Sequence, residues 1–188
     1  MSTLKVNTIQ NTSGGGTISN VGKIIQVVQN SDTTTTGSFS LSSVSTFYDY
    51  TNMSVAITPA STSNKILISL MAMGEGDTPD HNFRWRIKRA ISGGSTTNIT
   101  APTAGSRTSC MGMVTTAYHD DDNATSPTIF GCSNYLDSPS TTSAITYTLQ
   151  LNCQSSSKNW YFNRGVSDGD SSGNERGMGY ITVMEVTG

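Results

Sequence analysis

The sequence predicts an all-β protein, an antiparallel two-sheet sandwich, and three observations carry that expectation. Apolar residues fall in short runs that alternate with polar ones. No helical period of 3.6 residues outlasts a single turn. About eight to ten such runs are separated by polar turns and several longer connections. Hydrophobic residues make up 34% of the chain and charged residues only 13%. A disordered chain is typically charged and poor in β-branched residues, whereas Thr is abundant here and suits a strand. Order is therefore expected. Among sandwiches a jelly roll is favoured, because several connections are too long for a simple meander.

The 188 residues divide into a small appendage and one domain of ordinary size. Residues 1–10 read as a short strand anchored by Leu4, Val6 and Ile9, followed by a breaker run over 11–16. Burying three aliphatic side chains contributes at most roughly 5–9 kcal/mol. Ordering about ten backbone residues costs about 10–20 kcal/mol. Such a strand must add to another sheet, borrow neighbouring copies or stay disordered. We read residues 1–20 as an N-terminal attachment arm with a glycine joint at 14–16, and residues 21–188 as the sandwich.

Residues 21–29 form the first core strand, and 30–40 a polar loop or ragged edge. Residues 46–50 and 53–58 follow, the latter with Met53, Val55 and Ile57 on one face. After a turn over 59–64, residues 65–73 are nearly continuously apolar, which predicts a strand covered on both faces. Residues 74–82 are a polar loop. The next strand, 82–91, sends Phe83, Trp85, Ile87 and Ile91 one way and Arg84, Arg86 and Lys88 the other. Residues 96–100 are expected to pair back, 110–118 and 127–133 to be weaker strands, and 135–143 to be a turn. The clearest strand is 144–153, with Ile145, Tyr147, Leu149, Leu151 and Cys153 on its inner face. Residues 159–162, a glycine-rich loop over 163–177 and a strand over 178–186 close the domain.

The two ends of the chain carry a resemblance. Residues 2–10 (STLKVNTIQ) with their glycine-rich sequel, 22–28 (GKIIQVV) and 179–186 (GYITVMEV) resemble a family of virion proteins of tailed bacteriophages. That family, frequent in phages of marine and cyanobacterial hosts, comprises tail fibre and virion structural proteins. The stretch 53–67 (MSVAITPASTSNKIL) is similar to its strand–turn–strand core, while 74–143 is individual to this chain. The resemblance implies a structural role in the virion, a β-sandwich distal domain, a homotrimer and no catalytic residue. A trimer would bury the second face of 65–73, and three weak arms acting together gain avidity of roughly 10²–10⁴.

Composition narrows the partners. A formal net charge of −2 gives no reason to expect nucleic acid or an anionic membrane surface. No stretch approaches the roughly 18 apolar residues of a membrane span, and the N-terminus lacks the apolar core of a signal peptide. No membrane insertion is expected, and assembly into the virion is expected in the host cytoplasm. The three cysteines, Cys110, Cys132 and Cys153, are odd in number and widely spaced, which argues for buried free thiols.

Several constellations invite chemistry. Asp168 and Asp170 begin a sequence like a calcium loop, but Gly179 stands where a bidentate Glu is needed, so they are weak metal candidates beside the plainer reading of an exposed turn. His119 with Asp120, Asp121 and Asp122, and His81 with Asp77 and Asp80, are weaker still. The Arg84, Arg86, Lys88 stripe reads as a solvated face, a trimer contact or a contact for an anionic glycan. Trp160, Tyr161 and Phe162, flanked by Asn159 and Asn163, could stack on sugar rings, although alternation places one or two of them in the core. There is no H-E-x-x-H or phosphate loop. No catalytic residue and no cofactor are expected.

The leading expectation is a non-enzymatic virion protein: a trimeric fibre or spike head, docked on other virion proteins by its arm. Its loops at 74–82, 118–126 and 163–177 would face a host-surface glycan. A capsid decoration or head-fibre protein is the alternative, and a free lectin-like module the third reading.

Overall fold

Alternation in the sequence becomes eleven strands in the computed structural model, which describes residues 22–78, 82–114 and 127–188. They are β1 (Ile24–Asp32), β2 (Phe39–Leu41), β3 (Tyr48–Ile57), β4 (Lys65–Gly76), β5 (Phe83–Ile91) and β6 (Thr96–Ile99). Then come β7 (Gly112–Val114), β8 (Thr128–Asp137), β9 (Ile145–Cys153), β10 (Lys158–Phe162) and β11 (Gly179–Val186). The arm with Leu4, Val6 and Ile9, the 118–126 tip with His119, and His81 with Asp80 lie outside the described residues.

One sheet runs β1-β11-β4-β10-β2, with β8 also on β4; the other runs β3-β9-β5-β6, with β7 also on β5. Gly74 pairs with both Thr128 and Phe162, so β8 and β10 lie on opposite edges of β4. Phe83 pairs with both Val114 and Cys153, so β7 and β9 flank β5. The antiparallel pairs β1–β11, β3–β9, β4–β8 and β5–β7 are nested, first strand with last and inward from there. That nesting, shared between two sheets, is the layout of a jelly roll. The expected fold class is what the chain adopts.

Period-two alternation fills the space between the sheets. Ile145, Tyr147, Leu149, Leu151 and Cys153 of β9 are fully buried, facing Ile66, Ile68, Leu70 and Ala72 of β4 and Ile181 and Val183 of β11. One end of the core is aromatic. Tyr50 and Phe162 stack with centroids 3.5 Å apart, Phe39 meets both edge-on, and Trp160 packs against Phe83 and Phe130. Glycine makes room for these rings. A Cβ on Gly76 would overlap the Phe83 ring, and one on Gly74 the Trp160 indole.

Several expectations change. Residues 21–29 do not form a core strand, since Ile24, Ile25 and Val27 of β1 are exposed and only Val28 packs against the core. The loop expected over 74–82 starts only after Gly76, because β4 continues to that residue with Gly74 and Glu75 buried. The turn expected over 135–143 begins later, because β8 continues to Asp137 and lays Tyr135 and Leu136 beside Ile68 and Leu67 of β4. A register shift near Asn134, whose φ is +61°, allows this continuation. The loop expected over 30–40 is shortened from both sides, since β1 reaches Asp32 and β2 starts at Phe39. Residues 65–73 are not covered on both faces within one chain. Leu67, Met71 and Met73 are only half-buried on their side of the sheet, with Gly177 lying against the Met73 side chain.

Buried polar side chains are tied to one another. Tyr50 donates to Asp32 at 2.6 Å and Asn163 Nδ2 donates at 3.0 Å. Glu185 accepts from Asn64 and from the Ala60 backbone. Arg89 and Tyr147 both donate to Asp137. Burial alone would raise the Asp32 pKa, but hydrogen bonds from Tyr50, the Thr34 backbone and Asn163 outweigh it and hold the carboxyl below its ordinary value. A depressed carboxyl contributes stability above its unfolded pKa of about 3.9 and loses it as pH falls through the folded value. Urea unfolding between pH 6 and pH 2 should therefore show a steeper acid loss for the parent chain than for Asp32→Asn. Equal slopes would remove the assignment.

Candidate functional site

The alternation that buries Phe83, Trp85 and Ile87 of β5 turns Arg84, Arg86 and Lys88 to the outer face of the second sheet. Register then sets their neighbours: Arg84 stands beside Asn152, Arg86 beside Gln150 and Lys88 beside Thr148 of β9. Arg84 donates to Asn152 Oδ1 at 3.2 Å, and Arg86 Nε to Gln150 Oε1 at 2.6 Å. Gln150 passes the chain on, donating to Asp49 Oδ1 of β3 at 2.6 Å, and Asp49 also pairs with Lys88. Three strands thus share one polar ladder. The stripe, one reading of which is a freely solvated face, is half-buried and hydrogen-bonded, because long side chains on neighbouring strands can reach across.

The connection from β2 to β3 lies over this face. Asn152 pins it by donating to the backbone oxygens of Ser43, Val44 and Thr46. Phe47 is carried onto Arg86, whose guanidinium carbon sits 3.9 Å from the ring centroid. Between Phe47, Arg86, β6 and the segment 100–109 runs a groove of about 570 Å³, lined by Thr and Ser hydroxyls, Asn98 and a second guanidinium, Arg107. Its size is in the range of pockets for small ligands.

The groove is electropositive. On this face Arg84, Arg86, Lys88 and Arg107 stand against one described carboxylate, Asp49. Burial lowers the Arg86 pKa from its ordinary value, with the Asp49 charge opposing the shift. A guanidinium stays protonated in proteins regardless. Desolvated and pre-oriented on Phe47, it offers forked donors to a carboxylate or sulfate. The hydroxyls and Asn98 can serve neutral sugar oxygens. Among the described residues the lining holds neither histidine nor acid.

The other sequence candidates are placed differently. Trp160 is not a surface residue: it is fully buried, because it shares its parity with Phe162 and both point between the sheets. Tyr161 alone of that triplet turns outward, half-buried, with Arg164 stacked 4.6 Å from its ring centroid. Asp168 is held by Arg176, whose Nη2 and Nε donate to its two oxygens, while Asp170 is exposed nearby. Among the described residues no group of three or more His, Cys, Asp or Glu side chains is placed to hold a metal. No disulfide forms; Cys153 is buried, and Cys110 and Cys132 are partly so. A hollow beside Phe39, Tyr50 and Phe162 measures about 90 Å³, too small for a sugar ring.

Phe47 and Arg107 were not singled out by the sequence. Parity could have found Phe47, which shares the outward side of Asp49 while Tyr50 points inward. Arg107 lies in an irregular connection, where no periodicity operates.

No protein-family model matches the sequence, and no curated protein is similar to it. Among solved structures, a chain from infectious bursal disease virus, Gx strain, aligns over 99% of this chain at 11% identity with a TM-score of 0.40. A chain from the Gt strain aligns over 99% at 10% identity with a TM-score of 0.36. This chain spans 42% and 44% of their lengths. Likeness so distant carries no argument about function. No helix among the described residues is long and apolar enough to cross a membrane.

Proposed function

We propose that this chain is a non-enzymatic structural protein of a tailed-phage virion, a homotrimeric fibre or spike head whose second sheet recognises an acidic glycan on the host surface. The observation that carries the recognition is the groove in which Arg86 stacks on Phe47 beside Arg107, inside a rim of hydroxyls. The virion role is supported by the resemblance at 2–10, 22–28 and 179–186, and by a jelly roll, a fold that recurs in viral capsid and lectin domains. Fold alone does not assign function, so the groove has to be tested directly. Residues 1–20 serve as the arm that docks each copy on other virion proteins.

Two arms of one experiment test this reading. Purified protein is titrated with alginate, whose uronate carboxylates suit a guanidinium, and with neutral dextran. Alginate should bind and dextran should not. Arg107→Gln, at an exposed position, should weaken alginate binding about 10-fold without altering the fold. Raising salt to 1 M should weaken it further. Equal binding of both polysaccharides, or of neither, would refute the glycan assignment. In particles, deletion of residues 1–16 should abolish incorporation, whereas particles carrying Arg107→Gln should retain the protein and adsorb poorly.

A further inference from the structure

The opposite face of the sandwich has a different character. Among the described residues nine large hydrophobic side chains are exposed, and all but Val44 and Met113 belong to or adjoin the first sheet. Register lines several of them up. Val27 of β1 stands beside Met184 of β11, Met184 beside Leu67 of β4, and Leu67 beside Leu136 of β8. The ends of this row are open to solvent, Val27 at 57% and Leu136 at 52% exposure. Next to it lies a shallow hollow of about 450 Å³ whose outward lining includes Met71, Ile129, Gly131 and Tyr180.

We infer that this outer face of the first sheet is the surface on which copies of the chain meet. Charge is the first argument for a second copy as occupant. Over 65–73 of β4 and the outward positions of β1, β8 and β11, the one charge among the described residues is Lys65, which lies at the rim and is bonded to Ser138. Such a face meets itself without like-charge repulsion, whereas the cationic ladder on the second sheet would repel its own copy. Area is the second argument. Four strands about 4.8 Å apart and some eight residues long give a footprint of roughly 500 Å² per copy. The pair together reaches the roughly 1,000 Å² that a specific interface needs.

The geometry also accounts for β4. Its sequence is apolar on both faces because one face fills the core and the other meets a neighbour. The chain enters the described structure at Gly22, beside Ile24 at one end of the apolar row. The arms of an assembled set therefore start from the same interface. The inference deepens the assembly part of the proposed function and does not depend on the glycan.

Sedimentation equilibrium of the full chain tests it, against a monomer mass of 19.9 kDa. The parent should sediment as an oligomer of two or more chains. Val27→Lys with Leu136→Lys, both at positions open enough to take lysine without unfolding the chain, should weaken association by about 100-fold or more and give a monomer. Val44→Lys, an equally exposed apolar position away from the sheet, should leave the mass unchanged. Thermal unfolding of each variant reports whether the sandwich is intact. A parent monomer, or an oligomer that survives the double lysine change in a folded variant, overturns the interface. A monomer that still binds alginate would remove this interface and leave the groove; an oligomer that ignores alginate would do the reverse.

Discussion

Trp160→Ala is expected to lower stability by about 3–5 kcal/mol, as for other buried large-to-small changes. Trp160 is fully buried and touches three other aromatic rings, with centroids 5.0 Å away in Phe83, 5.6 Å in Phe130 and 6.4 Å in Phe162. It also joins strands, since β10 pairs through it with Phe39 of β2 and Gly76 of β4. Gly74 is a glycine because the indole occupies the place of its Cβ. Neither strand can close over the hole, because backbone pairing holds both in place. For a domain of this size the loss corresponds to a fall in Tm of roughly 6–20 °C. Trp160→Phe, which keeps a ring in the site, should cost less than half as much. A variant that unfolds normally but binds alginate poorly would restore Trp160 to a surface role.

Trp160 also shows where sequence reasoning stops. Alternation says that Trp160 and Phe162 share one side and Tyr161 the other, but it does not say which side is inside. In β5 and β9 the outward residues are polar, so the inner face was legible: Phe83, Trp85 and Ile87, and Ile145 to Cys153, were assigned from the pattern and are buried. In β10 both sides carry aromatic residues, and the sign was lost. The same ambiguity affects β4, where continuous apolarity signals two covered faces but not what covers the second. Jelly-roll pairing followed from long connections between short strands. The end of β8 did not, because Ser133, Asn134 and Asp137 are turn residues by composition and pairing with β4 overrides them. The Arg86 side of the groove was visible as a stripe, while its other wall comes from connections without any period.

Breaking the ionic bridge between the sheets should be comparably costly. Asp137 ends β8 in the first sheet, and Arg89 belongs to β5 in the second. Arg89 Nη1 donates to both carboxylate oxygens, at 2.7 and 2.9 Å, and Tyr147 of β9 donates to Oδ2 at 2.8 Å. Exposure of the ionic side chains is 15% for Arg89 and 8% for Asp137. Burial, together with the Asp137 charge and hydrogen bond, drives the Tyr147 pKa far above its ordinary value, so its proton stays in place as donor. Asp137→Ala leaves the guanidinium and the phenol buried without their acceptor. About 3–5 kcal/mol of lost stability is the expected result in urea unfolding. Removing all three polar groups together, as Arg89→Met with Asp137→Leu and Tyr147→Phe, should recover most of that loss, since an apolar replacement leaves no charge unpaired. If the triple variant is as weak as Asp137→Ala, the bridge stabilises the fold in its own right; if Asp137→Ala costs under about 1 kcal/mol, Arg89 reaches water and the bridge counts as a surface pair.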